Sequence, residues 1–304
     1  MKYVYISCFM IFLIILTIFI LCLMNKDVDN VYENYEDIYK KFRTKLNSVN
    51  RKVRKNNFTY YNIDGEIKEW IILLINKQIN TCSPKIYLNT NIYRGHPNLE
   101  FNYSHTMGDK IILSDNDYNI LLQDYEIRNE NTITSLIIHE SAHIYQREEY
   151  NKEKINKNYK NPFKELYKKW GYSFSDIKHF SKILKYKRQN PDADDDDVIW
   201  KYNDKYYFIN CFYDKNNIKP YVVHKYAYPI DFIRGKFIYN KTQPIELDNF
   251  TEYNNFFGND ISNNYTPNEI YAEYSERLYQ ECVFGKKFKN TEAYKIFKNN
   301  YFYK

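Results

Sequence analysis

The first pattern along the chain is unbroken apolarity. Residues 3–24 read YVYISCFMIFLIILTIFILCLM without one charge, matching the roughly 20 residues that cross a hydrocarbon core. A cleavable signal peptide usually carries a shorter apolar stretch, about 7–15 residues, with small residues before the cut. ILCLMN offers no small-x-small site. Residues 1–24 are therefore expected to form an uncleaved transmembrane anchor, with secretion after cleavage as the alternative. Lys2 lies on one side of the run and Lys26, Lys40, Lys41 and Arg43 on the other. The cationic bias of cytoplasmic flanks thus assigns no orientation.

Past the anchor the pattern turns periodic. Val28, Tyr32, Tyr35, Tyr39, Phe42, Leu46, Val49 and Val53 alternate in steps of four and three, the spacing of a helix seam. Residues 25–60 read as an amphipathic helical stalk. It either dimerises or, as preferred, packs its stripe on the body, because a Tyr-rich seam makes a poor coiled coil. In the body, 61–304, helical patterns cover 66–80, 131–150, parts of 162–189 and 266–284. Short β-rich runs cover 85–93, 110–114 and 198–247, and the Lys- and aromatic-rich tail reads as a last amphipathic helix. Strands, then helices, with a strand-rich insertion at 151–250, predict an α+β body.

Composition narrows the partners. Of 304 residues, 44 are Lys or Arg and 38 Asp or Glu, a formal charge of +6, with 34 Tyr and 20 Phe but only 7 Gly and 8 Pro. That excludes disordered and collagen-like chains. Lys, Asn, Ile, Tyr and Phe are abundant together, the mark of codon drift in an AT-rich genome, so the mild basicity is not taken as a nucleic-acid footprint and no nucleic-acid partner is expected. Cys8 and Cys22 lie in the apolar run, and Cys82, Cys211 and Cys282 are far apart without a CxxC, which makes no disulfide framework.

The segment that carries chemistry is SLIIHESAHIYQREE, residues 135–149. His139 and His143 are four apart, so a helix puts both imidazoles on one face. Glu140 sits between them in sequence. This is the HExxH arrangement, in which two neutral imidazoles bind one Zn²⁺ and the glutamate takes a proton from the attacking water. The flanking Leu136, Ile137, Ile138, Ala142 and Ile144 predict a buried, rigid helix, which such a site requires.

A catalytic zinc needs a third protein ligand. His179, His224 and the acidic stretch TPNEIYAEYSERLYQE (266–281) are candidates, and Glu269, Glu273 and Glu276 share one helical face. Asn268-Glu269-Ile270-Tyr271-Ala272-Glu273 resembles the second motif of the gluzincin (thermolysin-like) zinc metallopeptidases, Asn-Glu-x-x-Ser/Ala-Asp/Glu. The resemblance covers only this motif and HESAH (139–143). It implies Glu269 as third ligand, Glu273 as the acid orienting His139, a zincin-like fold and peptide-bond hydrolysis on a protein or peptide substrate. In that group the motifs lie close together, whereas here residues 144–268 intervene. Thr266-Pro267-Asn268-Glu269 is also a good helix start, with Glu269 placed for a capping box. If Glu269 caps, Glu273 becomes the ligand.

His224, Tyr265 and Tyr271 are candidate donors to the developing oxyanion. SHTMGDKIILS (104–114) suggests a substrate-binding edge strand, as in related peptidases. The acidic run at Asp192 and Asp194 to Asp197 lacks EF-hand spacing, so a Ca²⁺ site is unsupported and a solvated loop preferred. The expectation is a membrane-anchored zinc metallopeptidase. The alternative is a non-catalytic structural or adhesion protein on a relic of that fold, and a DNA-linked protease is disfavoured by the anchor.

Overall fold

The computed structural model describes residues 60–82, 91–97, 103–129, 132–174, 198–213, 223–239 and 242–302, with Phe180, Leu184 and Lys187. The anchor, nearly all of the stalk, most of the strand expected at 85–93 and the acidic run at 192–197 lie outside these residues. Among the described residues no helix is long and apolar enough to cross a membrane.

The body is a mixture of helices and antiparallel-rich sheet, as the α+β expectation requires. Its first part runs β1 (Tyr60–Asn62), α1 (Gly65–Cys82), β2 (Ile92–Gly95), β3 (His105–Met107), β4 (Lys110–Leu113), α2 (Asp115–Ile127) and α3 (Thr132–Ile155). The four strands form one sheet in the order β1-β2-β4-β3, with β2 and β4 parallel. Strand alternation turns Ile111 and Leu113 to the helices. There they join Ile67 and Ile71 of α1, Leu121 of α2, and Ile137 and Ile144 of α3 in a buried cluster.

The second part runs α4 (Pro162–Lys169), β5 (Tyr172–Phe174), β6 (Val198–Tyr202), β7 (Lys205–Tyr213), β8 (Val223–Ile233), β9 (Lys236–Tyr239), β10 (Ile245–Glu246), α5 (Thr251–Phe257), α6 (Pro267–Phe284) and α7 (Glu292–Phe302). A six-stranded sheet has the order β10-β8-β7-β6-β5, and β9 pairs with β8 off that path. The strand-rich reading of 198–247 corresponds to β6 to β10. Period-two alternation splits its apolar side chains between two cores. Val198, Trp200, Tyr207, Ile209 and Ala227 meet α4, α5, α6 and α7. Ile199, Phe208, Phe212 and Tyr228 face the other way, with Phe180 and Ile230.

Of the helical pattern expected within 162–189, the described residues form a helix over Pro162–Lys169. Asn161 caps its start through Phe163 N–H, at 2.9 Å. Gly171 then turns the chain with φ +87°, and a Cβ there would meet Lys201 O at 2.8 Å. Only glycine allows both that dihedral and that approach, so the helix gives way to β5.

Helix α3 joins the two parts. Ile137 and Ile144 belong to the first cluster and Ile138 and Ala142 to the main one, so two apolar stripes flank its polar one. Helices apolar on most sides are buried. The third face, with His139 and His143, lies along α6, the most extensive contact between any two helices here.

Candidate metal centre

Helix α6 begins where its sequence says it should. Thr266 is the N-cap, with its hydroxyl accepting from Glu269 N–H at 3.3 Å, and Pro267 opens the first turn. The loop before it is held at several points. Tyr253 Oη donates to Asn264 O at 2.6 Å, and Lys225 Nζ reaches Ser262 O and Asn264 Oδ1, both at 3.3 Å. The Arg277 guanidinium donates to Asp260 Oδ2 and O at 3.0 and 2.6 Å. These ties fix the azimuth of α6 and so the aim of Glu269.

The N-cap bond does not engage the Glu269 carboxylate, because it uses the backbone N–H. Its N–H serves Thr266, while its carboxylate oxygens lie 3.5 Å from His139 Nε2 and 3.6 Å from His143 Nε2. The two Nε2 atoms are 3.3 Å apart. A tetrahedral zinc with bonds of about 2.0–2.2 Å has donor–donor edges of about 3.3–3.6 Å. The three residues are buried, and their donor atoms all lie within 4.8 Å of one another. Among the described residues they form the one group of three or more His, Cys, Asp or Glu side chains able to hold a metal ion. The donor set and its spacing fit a divalent cation of zinc's size.

The ring nitrogens that face away from this triangle have partners of their own. His143 Nδ1 is 2.9 Å from Gln146 Oε1. Gln146 spends its amide hydrogens on Tyr167 Oη, at 3.1 Å, and Asn268 O, at 2.9 Å. Its oxygen is thus the acceptor, Nδ1 carries the proton, and the Nε2 lone pair points at the triangle. Tyr167 Oη donates in turn to Asn268 Oδ1 at 2.7 Å. The chain of bonds links α3, α4 and α6 around one imidazole.

His139 Nδ1 faces Glu276 Oε2 at 3.8 Å. The sequence expectation put Glu273 in that position, and Glu276 is the carboxylate that stands there in the structure. Glu273 Oε1 instead accepts from Ser262 Oγ and, at 3.2 Å, from Asn263 N–H, which makes it a brace for the loop before α6. Glu276 lies close to one helical turn further along and reaches the ring. The same geometry settles the choice of carboxylate nearest both Nε2 atoms in favour of Glu269.

The charges are coupled. Burial opposes protonation of His139, but hydrogen bonding to Glu269 and its charge, with the charges of Glu140 and Glu273, outweigh burial and raise its pKa from 6.5 to about 10. Burial also raises Glu276, with Glu273 adding to the rise and His139 opposing it. This is a surplus of carboxylates around two imidazoles in a dry seam, which a divalent cation neutralises well.

The other expected donors sit apart in role. His224, on β8, stacks on Tyr226 with centroids 5.6 Å apart. Tyr265 packs against the main core just before the cap. The Tyr271 ring is buried edge-on between Phe163 and Phe297, at 4.7 and 5.4 Å, which is core packing. Sequence reasoning missed Gln146 and Tyr167. Gln146, three residues beyond His143 on the same helix face, was open to discovery by spacing; Tyr167, on another element, had no local signal.

Compared with protein-family models, with curated proteins and with solved structures, the chain finds no match.

Proposed function

We propose that the chain is a zinc-dependent metallopeptidase whose body is held at a membrane by residues 1–24. One observation carries the reading: His139, His143 and Glu269 present donors at tetrahedral spacing in a buried seam, with Glu140 beside them on the same helix. Zinc held there by His139, His143 and Glu269 would supply Lewis acidity and make a water more acidic. Glu140, buried where electrostatic interactions are strong, is the general base. Its carboxylate takes the proton of the attacking water and delivers it to the departing amine. Gln146 and Glu276 hold the two imidazoles in the orientation the metal needs.

A peptide substrate is supported by the neighbouring sheet. Among the described residues strand β3 lies at the edge of its sheet, and it packs against α3. Arg147 of α3 donates to Gly108 O and Thr106 Oγ1, at 2.5 and 2.8 Å, fastening the β3–β4 hairpin to the helix that bears the site. An edge held in that place suits an extended peptide added as a further strand.

The test is metal analysis of the purified chain beside hydrolysis of a quenched fluorescent peptide library. One zinc per chain is expected. Glu140→Gln should keep the zinc and lose about 10²–10⁴-fold in rate. A wild-type chain with full zinc and no hydrolysis of any peptide would favour the non-catalytic alternative, and a chain without zinc ends the proposal.

A further inference from the structure

The β8–β9 hairpin breaks the rule that the rest of its sheet obeys. Ile233 pairs with Lys236, leaving Arg234 and Gly235 as a two-residue turn, and both have positive φ, 50° and 78°. That is the turn whose twist matches a tight hairpin, so the tip is a firm projection. Its side chains alternate between two faces. Phe232 and Phe237 share one, with ring centroids 4.8 Å apart and Tyr206 at 5.5 and 5.2 Å. Asp231, Ile233, Lys236 and Ile238 share the other. Phe232, Ile233 and Ile238 are 49%, 49% and 46% exposed.

A solvated hairpin keeps its apolar residues on the core face and its polar ones outside. Here large apolar side chains are half-exposed on both faces at once. A groove on a protein partner, or on a second copy, would dry one face and leave the other wet. A lipid interface surrounds a projecting tip on all sides. The charges fit it too: Arg234 and Lys236 flank the tip, and cations beside interfacial apolar residues are drawn to anionic headgroups. Among the described residues β9 pairs with β8 alone, and its other edge limits the depth, because backbone donors and acceptors need partners that the headgroup region supplies and the hydrocarbon core does not. The uncharged run at residues 3–24 would bring this body within reach of a bilayer.

We propose that the β8–β9 hairpin is a second membrane contact, in which Phe232, Ile233 and Ile238 enter the interface of an anionic bilayer and Arg234 and Lys236 hold its headgroups. It rests on the anchor reading only for proximity and is independent of the metal site.

The test uses the full chain in vesicles of phosphatidylcholine and phosphatidylglycerol that contain brominated lipid. Ile233→Trp is compared with Ile155→Trp, a control at an exposed position on α3 (87%), each after subtraction of the wild-type signal. Lipid quenching of Ile233→Trp at least twofold above the control, reduced by Arg234→Gln with Lys236→Gln, is the expected result. Equal quenching of the two positions overturns the proposal. So does concentration-dependent self-association that Ile233→Ser abolishes without any lipid quenching, which would make a second copy the occupant. Alkaline extraction of the same vesicles reads the anchor separately, so loss of the anchor reading and loss of the hairpin contact give different results.

Discussion

The α3–α6 seam keeps two imidazoles and the carboxylates of Glu140, Glu269 and Glu273 in the dry interior, while the β8–β9 hairpin holds phenylalanine and isoleucine out in solvent. Each arrangement runs against the local preference for where such side chains belong. The seam tolerates its charges because imidazole nitrogens and carboxylates are set against one another and braced by Gln146, Tyr167 and Asn268. The hairpin tolerates its apolar tip because its stability comes from the turn and the ladder, not from burial at the end. On the two proposals above, each feature would be kept at a cost for something outside the chain, a cation in one case and a surface in the other.

The largest expected effect lies at the seam. Glu269→Ala should take the metal content from one zinc per chain to a trace, while Glu273→Ala, which removes the brace to Ser262 and Asn263, should keep the metal and lower the melting temperature. Loss of zinc in Glu273→Ala and its retention in Glu269→Ala would reverse the assignment of the two acids. Next comes stability. Phe257→Ala, in the main core, should cost about 3–5 kcal/mol in urea unfolding. Ile238→Ser, at the hairpin, should stay within about 0.5 kcal/mol. Similar costs at the two positions would erase the contrast between them.

A smaller effect is expected at the amide that orients His143. Gln146→Ala should weaken zinc binding about 10- to 100-fold in a chelator competition, and unchanged affinity would show that the bond does not position the ring. The last is a dependence on pH. With its pKa raised from 6.5 to about 10, His139 lends the metal-free fold stability that is complete below pH 6.5 and is lost as pH rises through about 10. Zinc needs the neutral ring, so uptake at pH 7 should release a proton from His139, seen as buffer-dependent heat in calorimetry. The gap in melting temperature between loaded and stripped protein should widen between pH 6.5 and 9.

Much of this was legible where the relevant interaction is local. The apolar flanks of HESAH, and the Thr266–Pro267 start, mark α3 and α6 because helix period and capping act within a few residues. Helix α2 went unassigned in the sequence because it buries little beyond Leu121 and Asp124, too narrow a stripe for a periodic signal, although Ser114 caps it through Asp117 N–H. The three-residue strands β1 and β5 are shorter than any period can reveal. At the site, the histidine pair follows from spacing, but the choice between Glu273 and Glu276 depends on how α6 is rotated against α3. That rotation is set by Asp260, Ser262 and Asn263, residues outside the motif. Tyr167 reaches Gln146, and through it His143, by folding alone.

The link between Gln146 and Asn268 spans 122 positions of chain, and the donors His143 and Glu269 close a loop of similar size. A metal bound there would act as a clasp, joining the two ends of a segment that contains the six-stranded sheet. Closing so long a loop is slow, while its added entropic cost grows only with the logarithm of length. An ion bound by His143 and Glu269 would hold the assembled sheet in place by keeping the ends of that loop together.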